Sequence, residues 1–412
     1  MAAPVRPGRR RLLFVLPFPP QLDGIHGGAR VSAQLMRALA RRHDVSAVYL
    51  RERPDADIDD DLRACLRRVE SVAIPTHVSL GTRLARRTAG VRGIPAWAAW
   101  VDVPEMAKRV RELATTWHPD VVHFEYHVMG QYATALPDRA ATRILSEYEA
   151  GVLAAREHIP SARSDGGLPA AVQRRAWARF ERRVMSLVDA VIVFSDRDRE
   201  AVAPLAGTTP VVRIGVGTSV PATPLDPSGG ADRPRVVFIG NFRHPPNVDA
   251  ARRLANEIFP AVRSRTPNAV LRIVGAHPPP DLLGEARDGI DVTGRVPDVR
   301  PWLNAAAVVA VPLRVGAGMR VKVIEALACG KAVVASPRAL EGLDVQDGVH
   351  VAIVDTNEEF VSRIVELLQS PAERIRLATN ARAWAVANLG EDRWVAEYEQ
   401  LYETLRPRAP QP

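Results

Sequence analysis

Cysteine is nearly absent: the 412 residues contain two, Cys65 and Cys329. Two isolated thiols cannot build a disulfide framework, and neither stands in a zinc-ligand spacing. Both are expected to be buried and reduced. Long apolar runs are missing too. The best run, Leu12 to Phe18, is far shorter than a membrane-spanning helix and contains Pro17, so it reads as a buried strand. Arg9, Arg10 and Arg11 resemble the basic start of a signal peptide, but no adequate apolar segment or small-residue cleavage site follows. A cytoplasmic protein is expected. Lysine is rare: Lys108, Lys322 and Lys331 are the three, and arginine supplies the rest of a net charge of +8. Codon bias and attraction to an anionic partner both account for that excess. No nucleic-acid-binding motif is visible, so no such partner is expected. No carboxylate pair, catalytic triad or metal-ligand cluster stands out. Asp55 with Asp57, and Asp196 with Asp198, read as solvated charges.

What is present is ordinary globular material, 47% hydrophobic and 25% charged, in a chain long enough for two domains. Strand and helix signals alternate through the first half. Leu12–Leu16, Val45–Leu50, Val69–Ile74, Asp120–Phe124, Arg143–Ser146 and Ala190–Phe194 read as strands. Val31, Leu35, Ala38 and Leu39 share one face of a helix between the first two strands. A stretch rich in Pro and Gly interrupts the rhythm, and the alternation then restarts. The expectation is an α/β protein of two doubly wound, Rossmann-like domains facing a cleft. The N-terminal domain is placed at 1–216, a linker at 217–233 and the second domain at 234–389. A last helix, 390–408, is expected to pack back on the N-terminal domain.

The most informative segment is Val308 to Ser336, VVAVPLRVGAGMRVKVIEALACGKAVVAS. A buried strand ends at Pro312, and a loop with Gly316 and Gly318 leads into a helix closed by Gly330. A glycine loop before a helix presents unpaired backbone N–H groups and the positive helix end, which suits a diphosphate. Arg320 and Lys322 add positive charge. Glu325 stands in an otherwise apolar stretch, where a carboxylate can accept hydrogen bonds from ribose hydroxyls.

Lys322, Glu325-Ala326, Leu327-Ala328, Gly330 and Val333-Val334 strongly resemble the donor-binding pattern of GT-B-fold glycosyltransferases of family 4, with Ala332 in place of a proline. Val237 to Asn241 with Pro246-Asn247, Ile273-Val274-Gly275, and Thr293 to Val296 match supporting segments. The resemblance covers most of 235–390 and is looser over 12–215. It implies transfer of a sugar from a nucleotide-sugar donor to an acceptor hydroxyl of a glycan, a lipid-linked or a small molecule, with retention at the anomeric carbon. It implies that Glu325 holds the ribose and that Gly294, Arg295 and Val296 border the nucleobase. Gly27 and Gly28 approach the diphosphate and acceptor, while Gly240, Asn241 and Gly275 line the donor site. No metal or other cofactor is implied, since arginine, lysine and a helix end neutralise the diphosphate.

The departures are specific. Ala317 stands where many members carry a glutamate for the transferred sugar, so backbone N–H groups of Ala317, Gly318 and Met319 are expected to serve. The loop after Gly240 holds one charge, Arg243, which transfers more of the diphosphate to Arg320 and Lys322. For the acceptor side, His123, Glu125 and His127 alternate at the end of a strand and point to one side if the strand continues. They are the candidate catalytic residues, and a partly exposed polar strand end is the equal alternative. Glu147 and Glu149 are weaker candidates. Arg83, Arg86, Arg87 and Arg92 before Ile94, Trp97 and Trp100 would suit peripheral contact with an anionic membrane, and equally an ordinary solvated loop. Arg174, Arg175, Arg179, Arg182 and Arg183 read as the solvated face of a helix. Two other functions stay open: a non-catalytic sugar-nucleotide-binding partner and a sugar-nucleotide epimerase.

Overall fold

The computed structural model describes residues 8–22, 24, 27–53, 57–75, 88–89, 92–137, 141–148, 150–156, 170–229, 233–284, 289–316 and 319–405. The chain divides into two compact units. One runs to Gly215 and takes the chain back from Trp394; the other holds Val216 to Gly316 and Arg320 to Arg393.

The first unit holds seven strands: β1 (Arg11–Leu16), β2 (Asp44–Arg51), β3 (Arg68–Ala73), β4 (Val121–Glu125), β5 (Thr142–Glu147), β6 (Ala190–Val193) and β7 (Val211–Arg213). All pair in parallel, in the order β3-β2-β1-β4-β5-β6-β7. Leu12 through Leu16 are wholly buried, as a strand covered on both faces requires. The second unit holds β8 (Arg235–Ile239), β9 (Val270–Val274), β10 (Ile290–Val292), β11 (Val308–Val311), β12 (Val333–Ala335) and β13 (Ala352–Ile353), parallel in the order β10-β9-β8-β11-β12-β13. Each sheet reverses its winding once, between β1 and β4 and between β8 and β11. The chain leaves these neighbours in opposite directions, which opens a crevice at their carboxyl ends. The loops after Leu16, Glu125, Ile239 and Val311 therefore border the two crevices.

Helix faces follow their sequence periods. Gly27–Ala40 buries Val31, Leu35, Ala38 and Leu39, and also Gly28, Ala29, Ser32, Ala33 and Met36. Ala170–Met185 buries Ala176, Trp177, Phe180, Glu181, Val184 and Met185, while Arg175, Arg179, Arg182 and Arg183 are exposed. Glu391–Thr404 buries Trp394, Val395, Tyr398, Leu401 and Tyr402. Its Tyr402 backbone carbonyl accepts Arg10 Nη1 at 2.9 Å.

Some expectations change. Cys329 is buried, but Cys65 is exposed at the end of the short helix Asp60–Cys65. Asp196 is exposed beside Arg199 and Arg213, whereas Asp198 is buried and accepts Ser195 Oγ at 2.6 Å. Within the second unit, Thr218 N–H donates to Leu389 O at 2.8 Å and Leu225 N–H to Cys329 O at 2.9 Å. Ile94, Trp97 and Trp100 pack against the first unit's core, and Arg83, Arg86 and Arg87 lie outside the described residues. Among the described residues no helix is long and apolar enough to cross a membrane.

Candidate functional site

In the second unit the strand ends lock together through glycines. Gly240 N–H donates to Val274 O at 3.0 Å, and Gly275 N–H to Gly294 O at 3.1 Å. Gly275 has φ +149°, and a Cβ on it would fall inside the carbonyl of Gly240. Its glycine is thus required by the close approach of two backbones. The loop after β8 is shaped by Asn241, whose Oδ1 accepts Arg243 N–H at 3.1 Å and whose carbonyl accepts Asn247 Nδ2 at 2.8 Å. Arg243 is exposed. At the neighbouring strand end, buried Arg253 donates to Pro312 O at 3.2 Å and steadies the start of the next loop.

That loop reaches Gly316, with φ +121° and Pro246 packed beside it. The helix Val321–Ala328 begins after Arg320. Arg320 is 6% exposed and donates to Gly316 O at 3.2 Å and to Glu341 Oε2 at 2.7 Å. Lys322 donates to Asn247 Oδ1 and lies 5.1 Å from the centroid of the Phe238 ring. Burial, reinforced by Arg320, pulls the Lys322 ammonium down to about 7. Glu325 is half-buried in the same helix. Gly330 closes it with φ +73°, its N–H donating to Leu327 O at 3.0 Å. Arg295 is exposed and Val296 half-buried, just after Gly294 with φ +71°. Met319 is half-buried; Ala317 and Gly318 lie outside the described residues.

In the first unit, β4 stops at Glu125 instead of continuing. Tyr126 takes φ +70°, a conformation that costs a non-glycine residue energy, and His127 begins a 3-10 segment, His127–Ala135. The expected common side for His123, Glu125 and His127 therefore fails at His127. His123 and Glu125 share a side, with Nδ1 and Oε1 3.7 Å apart and neither exposed. His123 stacks on Phe14 at 4.6 Å, and its Nε2 meets Tyr402 Oη at 2.8 Å. Burial pulls its pKa down to about 3, so it is neutral. Glu125 accepts the Tyr148 hydroxyl, Ser146 Oγ at 3.0 Å and Ser32 Oγ at 3.4 Å. Burial raises it to about 7 against the pull of those three donors. His127 turns away to Glu147, Nδ1 to Oε1 at 2.5 Å. Glu149 lies outside the described residues.

The residue that spacing missed is Tyr126. Its ring stacks on Tyr148, centroids 4.4 Å apart, with edges of Phe18 and Trp97 against it. Its hydroxyl reaches Gly28 at the start of the Gly27–Ala40 helix, where a Cβ would collide with it. The β1 and β4 ends thus meet at Gly28 and Tyr126.

Two family models match this chain. One, described as glycosyl transferases group 1, matches residues 233–370; the other, a glycosyl transferase 4-like domain, matches residues 26–217. The chain belongs to the group 1 glycosyltransferases. The fold of this glycosyltransferase is the GT-B fold of two Rossmann-like domains. It is similar to a sucrose-phosphate synthase from Thermosynechococcus elongatus, at 18% identity and TM-score 0.73, covering 96% of this chain and 99% of that one. It is similar to Anabaena HepE in complex with UDP and glucose, at 14% identity and TM-score 0.65, covering 96% and 100%. It is also similar to an S. aureus TarM variant in complex with fondaparinux, alpha-GlcNAc-glycerol and UDP, at 10% identity and TM-score 0.65, covering 95% and 99%. No curated protein matches the glycosyltransferase by sequence.

Proposed function

We propose that this glycosyltransferase takes its sugar from a nucleoside diphosphate donor held by the second unit and passes it to an acceptor hydroxyl with retention of configuration. One observation carries the reading. At the β8/β11 reversal, the cationic pair Arg320 and Lys322 stands at a helix start beside the glycine-built strand ends of Gly240 and Gly275. Such a helix start with two adjacent cations suits an anionic diphosphate. HepE and TarM are described with UDP, which makes UDP the first nucleotide to try. In this reading Glu325 accepts the ribose hydroxyls, and the turn at Gly294, Arg295 and Val296 borders the base. Gly316, Ala317, Gly318 and Met319 offer backbone N–H groups to the sugar.

The chemistry is then mostly positioning and charge stabilisation. As the bond from sugar to diphosphate breaks, the leaving oxygen gains charge, which Arg320, Lys322 and the helix start stabilise. That oxygen can accept the acceptor's proton, so no protein nucleophile is needed. Those groups also supply the neutralising charge for which a divalent ion would otherwise be used. Tyr126 and Gly28 supply the acceptor-facing surface of the first unit. Buried Glu125 and His123 act as positioning residues: Glu125 fixes Tyr148, on which Tyr126 stacks, and His123 fixes Tyr402.

The test is release of nucleoside diphosphate from a panel of sugar nucleotides, with and without added Mg2+ or Mn2+. Turnover of one donor, undiminished without metal and lost in Glu325→Ala and Lys322→Ala, supports the reading. Donor binding with no turnover across a broad acceptor panel would sink it in favour of a non-catalytic binding partner.

A further inference from the structure

Two cations stand at the start of the Val321–Ala328 helix, and the protein holds them differently. Arg320 has a carboxylate: its Nη2 donates to Glu341 Oε2 at 2.7 Å, and Glu341 Oε1 accepts Arg338 Nη1 at 2.6 Å. Lys322 has a neutral acceptor instead. Its Nζ donates to Asn247 Oδ1 and lies 5.1 Å from the centroid of the Phe238 ring. Among the described residues, Arg320 is the charged group that acts on the ammonium, and it repels.

Asn247 is fixed on every side. It is buried in the first turn of the helix Pro245–Arg252. Its backbone N–H donates to His244 O at 2.9 Å, and its Nδ2 to Asn241 O at 2.8 Å. A Cβ on Gly240 would stand 3.1 Å from its side chain, so the glycine leaves it room. An ammonium can only donate and a carbonyl can only accept. The two partners therefore set the amide's orientation, Oδ1 to Lys322 and Nδ2 to Asn241. An aspartate has almost the same shape, but it could not donate to Asn241 and would pair Lys322 within the protein. Lysine is a point charge on a long, flexible stem. A neutral acceptor aims that charge without cancelling it. Glu341 offsets the Arg320 charge, whereas Lys322 is left for an incoming anion to match.

We propose that Asn247 is a positioning residue of the donor site: it aims Lys322 Nζ through a neutral acceptor, so that the donor's diphosphate serves as the counter-ion. This rests on the donor reading given above. The two cations then divide the task. Glu341 lets the Arg320 guanidinium stay buried before the donor arrives, because an unmatched buried charge is costly. Lys322 responds to the donor: in the free protein its ammonium sits near 7, and an adjacent diphosphate restores its charge.

Calorimetric titration of the full-length protein with UDP at pH 8 reads affinity and proton uptake together. The unaltered protein should take up about 0.9 proton. Asn247→Asp supplies an internal counter-ion, so UDP should bind at least about 10-fold more weakly and proton uptake should fall toward zero. Asn247→Ala removes the tether and adds no charge, so UDP should bind about 3- to 10-fold more weakly with proton uptake retained. A residue that only supported the fold would not separate the two variants by their proton uptake. Asn247→Asp with unchanged affinity and uptake, or Asn247→Ala with unchanged affinity, overturns the proposal. If Asn247→Asp fails to fold, the affinity of Asn247→Ala decides. Full UDP affinity in Lys322→Met, or no binding of UDP or ADP to the unaltered protein, removes the donor reading and the proposal with it. Weaker binding by Lys322→Met beside an unaffected Asn247→Asp leaves the donor reading standing and removes the proposal alone.

Discussion

Donor binding should take up a proton at Lys322. In the free protein, burial and Arg320 hold this ammonium near 7. At pH 8 about nine in ten molecules then carry neutral Lys322. A diphosphate beside it favours the charged form, so the bound-state pKa rises toward its ordinary value. The sign follows from linkage: the complex binds more protons than the free protein above pH 7, so affinity falls as pH rises. With full restoration, the dissociation constant for UDP weakens about 50-fold between pH 7 and 9, and binding at pH 8 takes up about 0.9 proton. The nucleotide's own phosphate ionises near about 6 and contributes little in that window. Titration calorimetry in buffers of different ionisation enthalpy reads the proton uptake directly. Lys322→Met should bind more weakly at pH 7 and lose most of the pH dependence. Constant wild-type affinity from pH 7 to 9, with no proton uptake, would refute the placement of the diphosphate at Lys322. The same depressed pKa makes Lys322 favour unfolding as pH falls from its unfolded value toward 7, because the unfolded chain binds the extra proton there.

Other perturbations test the framework. Gly275→Ala sets a Cβ into the Gly240 carbonyl at φ +149°, and should cost about 3 kcal/mol or more in urea-denaturation stability. Gly28→Ala should displace the Tyr126 hydroxyl and lower turnover at least about 10-fold, with the circular dichroism spectrum unchanged; full turnover would remove Tyr126 from the acceptor surface. Tyr402→Phe strips buried His123 Nε2 of its partner and should cost about 1–3 kcal/mol, read as a lower urea midpoint with unchanged slope.

Much of the fold was legible because parallel sheets covered on both faces need unbroken apolar strands, and Leu12–Leu16 and Val308–Val311 are such strands. The Gly316 loop and the helix behind it were legible for the same reason, since glycine turns and an apolar helix period are local features. Glu181 was hidden because charge dominates the run from Arg174 to Arg183. The usable signal was its spacing: it lies four residues after Trp177 and three before Val184, on the buried stripe. Tyr126 carried no local signal at all. A backbone reversal at a strand end cannot be inferred from a tyrosine, and it redirected His127 away from His123 and Glu125.

The sequence by itself determined what depends on near neighbours along the chain: strand and helix periods, the glycine turns, and the cationic start of the Val321–Ala328 helix. Tertiary structure alone decided which distant groups share an enclosure. Asn247 came to Lys322, Tyr402 to His123, and Glu341 to Arg320. Those pairings fix charge states, because burial sets the energetic cost of a charge and only packing determines which partner offsets it.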